Sequence, residues 1–254
     1  MSWLLSFLSP ILLGVQAGNR LVVKRALNGL TLPSYRIRGE RISAIIPTHN
    51  EEDYIGECLT CLQNQTYFPI EVIVVDFESQ DQTRQIARAY GAKIVDMRVP
   101  GVGNARDIGV LYASSDTLFF SDADVIFENR LVEEMVKDLE NGWDVITVPA
   151  VYYDTAKPVP INPLLNLGMN ISRLGRAPWI LSGRATLTRK ETWRQVGGWE
   201  LPIWEERHFG RKLNQAGYKI NMRRRLALTT PRFRESRAMR LQSIQGVREP
   251  FKYI

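Results

Sequence analysis

The sequence of 254 residues contains two cysteines and two histidines, and it has neither an internal repeat nor a low-complexity tract. Cys58 and Cys61 stand three residues apart, a spacing that occurs in redox motifs and in half of a zinc site. No second cysteine pair accompanies them, and on a helix this spacing places both thiols on one face. We therefore interpret the pair as small buried hydrophobic residues. So few cysteines argue against a secreted fold that disulfides hold together.

A second absence is a long apolar run, because a transmembrane helix needs about 20 consecutive apolar residues. The nearest candidate runs from Trp3 to Val15 and is interrupted by Pro10. A helical pattern that carries three basic residues follows it. We predict that residues 1–38 form an amphipathic anchor at a membrane interface. The alternative is a helix that packs on the following domain or on another subunit.

Charge is distributed unevenly along the chain. The net charge of +6 arises from +5 in residues 1–41, −6 in residues 42–221 and +7 in residues 222–254. No nucleic-acid recognition motif accompanies the basic ends, so nucleic acid is not a predicted partner. Basic ends beside apolar segments favour an anionic membrane surface, and we predict a cytoplasmic protein at the inner face of the membrane. The alternative is a solvated basic face.

Residues from 42 onward alternate between short apolar runs and helical patterns. The predicted strands lie at 42–46, 71–75, 93–95, 117–121, 144–148 and 180–188. The predicted helices lie at 53–64, 79–90, 103–113, 128–140, 164–174, 191–196 and 204–216. This order predicts an α/β fold in which helices flank a mainly parallel sheet. We divide the chain into the anchor at 1–38, a domain at 39–222 and a basic tail at 223–254.

Ligands of such sheets bind at the carboxyl ends of the strands, where this sequence places unusual polar residues. Asp122-Ala123-Asp124 follows the fourth strand, and carboxylates spaced i and i+2 just past a strand end can face one pocket. Buried carboxylates need a cation, and their hard oxygens suit Mg²⁺ or Mn²⁺ bridging to a diphosphate. We therefore predict that Asp122 and Asp124 bind a divalent metal, although such triplets also cap turns.

The ends of the first two strands carry a second group of polar residues. Pro47-Thr48-His49-Asn50-Glu51 follows the first strand, and Thr48 with the loop amides suits a base or a ribose. The same segment also suits a cap, with Asn50 as the N-cap of the next helix. Asp76 ends the second strand, where a carboxylate can accept the imide N–H of uracil or the amino group of guanine. Ser79 is predicted to belong to the same nucleotide-binding group, and the alternative is the N-cap of the helix that follows.

Two further segments carry residues that suit a phosphorylated ligand or its reaction partner. Gly101 and Gly103 let the backbone approach a ligand closely, and Arg106 is a natural partner for a diphosphate. Glu205 and Glu206 begin a later helix. They suit contact with an acceptor hydroxyl, and they equally suit the favourable placement of acidic residues at a helix N-terminus.

Taken in order, these motifs resemble the family 2 glycosyltransferases of the GT-A fold over about residues 40 to 220. The matching segments are Pro47-Thr48-His49-Asn50-Glu51, Val75-Asp76 with Ser79, Asp81 and Thr83, Gly103-Asn104-Ala105-Arg106-Asp107, Asp122-Ala123-Asp124, and Gly197-Gly198-Trp199 with Glu205-Glu206 and Ala216-Gly217-Tyr218. The resemblance implies a Rossmann-like nucleotide-binding half and an acceptor-binding half. It also implies an inverting transfer of a sugar from a UDP- or GDP-linked donor to an acceptor hydroxyl.

The resemblance also implies roles for individual residues. Those that contact the nucleotide would be Thr48, Glu51, Asp76 and Arg106, with Asp122 near the ribose, Asp124 on the metal and Glu206 as the catalytic base. The chain departs from the family at two points. Glu206 replaces an aspartate, and Phe77-Glu78 stands where the family often has Asp-Gly. Both departures bear on donor and acceptor geometry.

Two other functions stay open. A sugar-1-phosphate nucleotidyltransferase uses a similar core, but it would carry a glycine-rich basic loop where this chain has the acidic Glu51 and Glu52. An inactive sugar-nucleotide or membrane-binding module would not need Asp122, Asp124 and Glu206. The predicted partners are a nucleotide sugar and a glycan or lipid-linked acceptor, with a homodimer as an open alternative to membrane contact.

Overall fold

A computed structural model describes residues 24–148, 151–152, 181–200, 205–223 and 228–230. Most of the predicted anchor, the helix predicted at 164–174 and nearly all of the predicted basic tail lie outside these described residues. The division at 39–222 stays a prediction. In the described part of the chain, no helix is both long and apolar enough to span a membrane.

The described chain forms strands and helices in the predicted alternation. The strands are β1 (Ile37–Thr48), β2 (Tyr67–Phe77), β3 (Lys93–Met97), β4 (Thr117–Phe120), β5 (Ile126–Phe127), β6 (Val145–Thr147), β7 (Val151–Tyr152), β8 (Thr186–Arg189), β9 (Ile220–Met222) and β10 (Leu228–Thr230). The helices are α1 (Ile55–Gln63), α2 (Thr83–Ala89), α3 (Val102–Tyr112), α4 (Leu131–Glu140), α5 (Lys190–Val196) and α6 (Glu205–Gln215), and a 3₁₀ turn at Leu27–Leu30 precedes β1.

Seven strands form the main sheet in the order β3-β2-β1-β4-β8-β6-β9. Strands β1 to β4 are parallel where they pair, whereas β8 runs antiparallel to both of its neighbours. Three short strands, β5, β10 and β7, form a second sheet. The predicted α/β architecture with a mainly parallel sheet is therefore confirmed.

Side chains of the central strands alternate between two separate cores. Ala44 and Ile46 of β1 face one core with α1 and α4, whereas Ile45 faces the other core with α3 and α6. Burial on both faces explains why these strands read as continuous apolar runs instead of alternating ones. Polar residues are therefore concentrated beyond the strand ends, where the backbone reaches solvent.

Several predicted element starts are wrong, including the strands predicted from 42 and 71, which begin at Ile37 and Tyr67. Two predicted helix caps and one further strand start also differ from the structure. Ser79 does not cap α2, because its N–H and hydroxyl donate to Asp76 and the helix begins at Thr83. Asn50 does not cap α1, which begins four residues later than such a cap requires. The strand predicted from 180 begins at Thr186, because the preceding residues turn, with the N–H of Ala185 donating to the carbonyl oxygen of Ser182 at 3.2 Å.

Both cysteines lie in the core, as predicted. Cys58 and Cys61 are free thiols on α1 with no exposed surface. Burial raises the pKa of Cys61 to about 12, so this thiol stays protonated and unreactive at neutral pH. In the described chain, no group of three or more His, Cys, Asp or Glu residues is arranged to hold a metal ion.

Glu133 on α4 joins three elements on the side of the sheet away from the strand ends. Its side chain is only 4% exposed, and its Oε2 accepts hydrogen bonds from the hydroxyls of Tyr35 and Thr66, both at 2.8 Å. Lys137 donates to the other oxygen. Burial alone would raise the pKa of Glu133, but these three hydrogen bonds lower it from 4.5 to about 2. The fold therefore stabilises the ionised form.

We expect Glu133→Gln to lower the free energy of unfolding by up to about 3 kcal/mol at pH 7. The folded-state pKa is the lower one, so this contribution is complete above the unfolded-state pKa of about 4.5 and is lost as the pH falls towards 2. At pH 4 the difference between wild type and variant should have shrunk by about 1 kcal/mol. Urea unfolding at both pH values measures it, with the exposed Glu140→Gln on the same helix as the control. A pH-independent difference would contradict this account.

Candidate active site

The loops that follow β1, β2 and β4 meet at one edge of the sheet. Thr48 at the end of β1 pairs with Asp76 of β2. Ser121, directly after β4, donates its backbone N–H to the carbonyl oxygen of Ile45 at 3.1 Å. Because the three strands are parallel, their loops open on the same side, which is where α/β sheets bind ligands. The site residues predicted after these strands therefore lie together.

Asp76 is fully buried and binds the two loops around it. Its Oδ1 accepts hydrogen bonds from the hydroxyls of Thr48 at 2.9 Å and Ser79 at 2.6 Å. Its Oδ2 accepts the N–H of Ser79 at 3.1 Å and a guanidinium N–H of Arg84 at 3.3 Å. The structure thus gives Asp76 an internal role, and its predicted contact with a nucleotide base stays a prediction.

The loops after β1 and β2 are held to each other by reciprocal hydrogen bonds. Asn50 donates its backbone N–H to the hydroxyl of Ser79 at 2.9 Å, and its side-chain oxygen accepts the N–H of Gln80 at 2.8 Å. The N–H of Glu51 donates to the hydroxyl of Thr83 at 2.7 Å. Asn50 has a φ of 54°, a conformation that asparagine tolerates better than most residues. These polar side chains therefore shape the rim of the site.

An aromatic pair lies beside this rim. The rings of His49 and Phe77 are 5.3 Å apart at 45°, and His49 Nδ1 is hydrogen-bonded to the carbonyl oxygen of Phe77. Pro47 is half-buried in β1 before them. Glu78 has a φ of 47°, which suits the glycine that the family often has at this position. The departure at Phe77-Glu78 thus keeps the backbone turn but adds an aromatic ring.

Arg106 on α3 is only 1% exposed and is paired inside the protein. Its Nη2 donates to Asp122 Oδ1 at 2.7 Å, and its Nη1 donates to Glu205 Oε1 at 2.9 Å. Its guanidinium carbon lies 4.6 Å from the ring centre of Trp199. Burial opposes the charge, but Asp122 and Glu205 outweigh it and raise the pKa of Arg106. This geometry favours a positioning role over the predicted diphosphate contact.

The glycines before Arg106 form the start of α3. Gly101 precedes the helix with a φ of 122°, a conformation that side-chain-bearing residues rarely adopt. Gly103 is buried in the first helical turn. The predicted close approach of this backbone to a ligand therefore has the required conformation at Gly101, and contact of Gly103 with a nucleotide stays a prediction.

The two aspartates after β4 differ in their surroundings. Asp122 lies between two arginines, because its Oδ1 binds Arg106 and its Oδ2 is 3.8 Å from Nε of Arg184. Its backbone carbonyl also accepts a hydrogen bond from Cys58 at 3.4 Å. Asp124 is half-buried two residues further on. The metal role predicted for Asp122 and Asp124 stays a prediction. Mg²⁺ commonly binds one or two carboxylates and completes its shell with water and substrate phosphates.

Glu205 and Glu206 begin α6 and have different partners. Glu205 faces Arg106, whereas Oε1 of Glu206 accepts the backbone N–H of Gly183 at 2.7 Å. Burial and the neighbouring Glu205 raise the pKa of Glu206 above its ordinary value, although Arg184 and Arg106 act in the opposite direction. A carboxylate with a raised pKa is a stronger base, which suits proton abstraction near neutral pH.

Gly183 and Arg184 also belong to this group, although the sequence motifs did not indicate them. A Cβ on Gly183 would lie 2.2 Å from Nη2 of Arg106 and 2.7 Å from Oε1 of Glu206, so glycine is required for this approach. Both residues precede β8. Because β8 is antiparallel, its beginning lies at the edge where the parallel strands end, and Thr186 pairs with Phe120 there. The sequence alone does not give the direction of β8, so it carries no signal that would place these two residues at the site.

Solved structures of other proteins share this fold. The mannosyltransferase PcManGT from Pyrobaculum calidifontis, in complex with GDP-Man and Mn²⁺, superimposes with a TM-score of 0.65 at 21% identity, over 95% of this chain and 73% of that chain. TarS of Staphylococcus aureus, in complex with UDP, gives a TM-score of 0.61 at 25% identity, over 81% of this chain and 65% of that chain. The fold is that of the GT-A glycosyltransferases.

Sequence comparisons place the chain in one family. It is 30% identical over 214 residues to 4,4'-diaponeurosporenoate glycosyltransferase of Staphylococcus aureus. The match covers 78% of this chain but 56% of that protein, so the chain spans about half the length of this relative. The family model described as Glycosyl transferase family 2 matches residues 43–221, which include the strand-end loops, Arg106 and the start of α6. The chain therefore belongs to glycosyl transferase family 2.

Proposed function

We propose that this chain is an inverting glycosyltransferase that moves a sugar from a nucleoside-diphosphate sugar to an acceptor hydroxyl. The observation that carries the proposal is the buried Arg106, which connects Asp122 on the nucleotide side with Glu205 on the acceptor side, beside Glu206. The relatives support the donor class, because TarS is solved with UDP and PcManGT with GDP-Man. Both UDP- and GDP-linked donors are therefore candidates.

Glu206 is the proposed general base. The N–H of Gly183 holds Oε1, and Oε2 would accept the proton of the acceptor hydroxyl. As the acceptor oxygen attacks the anomeric carbon, its proton moves to Glu206, and the bond from that carbon to the diphosphate breaks. The nucleoside diphosphate leaves with the electron pair of that bond. One displacement of this kind inverts the configuration at the anomeric carbon.

Asp124 is the proposed ligand of a divalent metal, Mg²⁺ or Mn²⁺, with Asp122 near the ribose. Such an ion supplies positive charge that stabilises a leaving diphosphate. Arg184 adds positive charge on the same side, since its Nε is 3.8 Å from Asp122. The Mn²⁺ in the PcManGT complex supports this proposal.

The proposed acceptor is a glycan or a lipid-linked molecule presented at the cytoplasmic face of a membrane. The described chain supports membrane contact through the segment 24–41, which is called the basic-apolar segment below. Its exposed apolar residues are Leu27, Leu32, Tyr35 and Ile37, and its exposed basic residues are Lys24, Arg36, Arg38 and Arg41. Apolar insertion and attraction to anionic lipids act together at such a surface.

We expect the protein to gain thermal stability from one class of nucleotide sugar in the presence of Mn²⁺ and to release the nucleoside diphosphate from it. A ligand at 100 times its dissociation constant adds about 2.7 kcal/mol, so a thermal-shift panel of UDP- and GDP-sugars identifies the donor. Asp124→Ala should lose the Mn²⁺-dependent part of this shift and should abolish release. Asp116→Ala, an exposed aspartate before β4, is the control.

The other candidate functions give different results in the same assay. A sugar-1-phosphate nucleotidyltransferase would release pyrophosphate from a nucleoside triphosphate, and an inactive binding module would show the thermal shift without turnover. Full release of nucleoside diphosphate by Asp124→Ala would remove the metal role from this residue.

Glu206→Gln should lower turnover by roughly 10² or more while donor affinity stays unchanged, because a general base contributes on this scale. The fold disfavours the Glu206 charge, as its raised pKa shows, so neutral glutamine should not reduce the melting temperature at pH 7. Glu205→Gln is the matched comparison. It removes a charged partner from the buried Arg106 and should lower the free energy of unfolding by about 3 kcal/mol or more. If Glu205→Gln alone lost turnover without loss of stability, Glu205 would be the base.

Leu32→Glu should weaken binding to vesicles that contain anionic phosphatidylglycerol, because it places a carboxylate in the basic-apolar segment. Leu111→Glu is the matched control, since Leu111 is 73% exposed on α3 and Leu32 is 85% exposed. Flotation at low and high salt measures the effect, and wild-type binding should fall with salt. If the wild-type protein does not bind these vesicles at low salt and sediments as a dimer, the result supports the homodimer alternative instead.

A further inference from the structure

The carboxylate of Asp107 accepts hydrogen bonds from a turn and an adjoining helix that lie far from it in the sequence. Its Oδ1 accepts the indole N–H of Trp193 at 2.7 Å and the backbone N–H of Trp199 at 2.9 Å. Its Oδ2 accepts the backbone N–H of Glu200 at 2.9 Å and shares that of Trp199 at 3.0 Å. Both oxygens are therefore used on residues more than 80 positions further along the chain.

The backbone of this turn has positive φ values at three residues, and its N–H groups donate to Asp107 outside the turn. Gly197, Gly198 and Glu200 have φ values of 78°, 73° and 60°. A non-glycine residue in this region costs about 1 kcal/mol or more, which applies to Glu200. A Cβ on Gly198 would lie 2.6 Å from Asp107 Oδ1, so glycine lets the turn close on the carboxylate. The turn and Asp107 are thus fitted to each other.

The turn in its anchored position packs against α6, the helix that begins with the proposed base. Trp199 is fully buried and stacks on Phe209 of α6, with ring centres 4.3 Å apart at 25°. Glu200 contacts Lys212 at 3.1 Å and His208 at 3.2 Å, both on α6. A displacement of the turn would therefore displace this helix.

Arg106 and Asp107 are neighbours on α3 but face different groups. The side chains of consecutive helical residues point about 100° apart. Arg106 therefore reaches Asp122 and Glu205, whereas Asp107 reaches the 197–200 turn. Trp199 connects the two contacts, because it also lies against the Arg106 guanidinium. Both neighbours thus fix α6 relative to α3.

We propose that Asp107 is a positioning residue that sets the start of α6, so that Glu205 meets Arg106 and Glu206 meets Gly183. The role of Glu206 in this inference rests on the proposed function. Asp107 contacts no reacting group and acts through the 197–200 turn. A displacement of about 1 Å at a reacting centre can reduce turnover by about 10²-fold. We therefore expect a substitution of Asp107 to lower turnover more than it lowers stability.

Asp107→Asn tests the inference, because an amide offers one acceptor oxygen and turns an NH₂ group towards the N–H donors of the turn. We expect turnover, measured as nucleoside-diphosphate release, to fall by about 10-fold or more with the KM for donor within about threefold. Hydrogen–deuterium exchange should rise at 197–200 and at 205–209. Trp193→Phe removes only the side-chain donor and should keep turnover within about threefold of wild type.

Glu133→Gln is the control for a general loss of stability, because Glu133 lies on α4 and away from the strand-end loops. It should leave turnover unchanged at temperatures where the variant is folded. Turnover in Asp107→Asn equal to that in Glu133→Gln would overturn the inference. Unchanged exchange at 205–209 would also overturn it, whether or not the protein is an enzyme. A wild-type protein without turnover on any donor would instead contradict the proposed function.

Discussion

Arg106 is a buried cation that must be neutralised within the protein, and the arrangement of the candidate site depends on how this is achieved. An arginine with 1% exposure cannot be left unpaired, since removing one partner of a buried ion pair typically costs about 3–5 kcal/mol. Here the partners are Asp122, which follows a central strand, and Glu205, which begins α6. One side chain therefore connects the end of β4 with the start of α6.

The fold was predictable because each strand and helix is indicated by the pattern of residues within its own segment. Runs such as Ile42–Ile46 and Val72–Val75 are apolar on both faces, and the loops after them concentrate polar residues, so strand ends and site residues could be located together. The role of Arg106 was not predictable in this way. Its motif indicates a phosphate ligand, but its partner Glu205 is 99 positions away, and no local pattern shows which buried charges will meet.

The same limit explains the capping residues that were assigned to the wrong partners. Asn50 and Ser79 have the side chains that cap helices, and sequence alone favours the nearest helix for each. In the structure they bind the neighbouring loop or the strand-end carboxylate of Asp76, because parallel strands bring these loops within hydrogen-bonding distance. Gly183 and Arg184 were missed for a related reason. They precede a strand, and only the antiparallel direction of β8 places them at the site.

Glu205 and Glu206 are neighbouring carboxylates that have different hydrogen-bond partners. Nη1 of Arg106 donates to Oε1 of Glu205 at 2.9 Å, so Glu205 has an internal cationic partner. Among the described residues, the backbone N–H of Gly183 donates to Glu206, and burial together with the neighbouring Glu205 raises the pKa of Glu206. A carboxylate that the protein has not neutralised retains its affinity for a proton, which is the property that a general base requires. Arg106 therefore holds the first glutamate in an ion pair, whereas burial and the neighbouring Glu205 give the second its basicity against the opposing charges of Arg106 and Arg184.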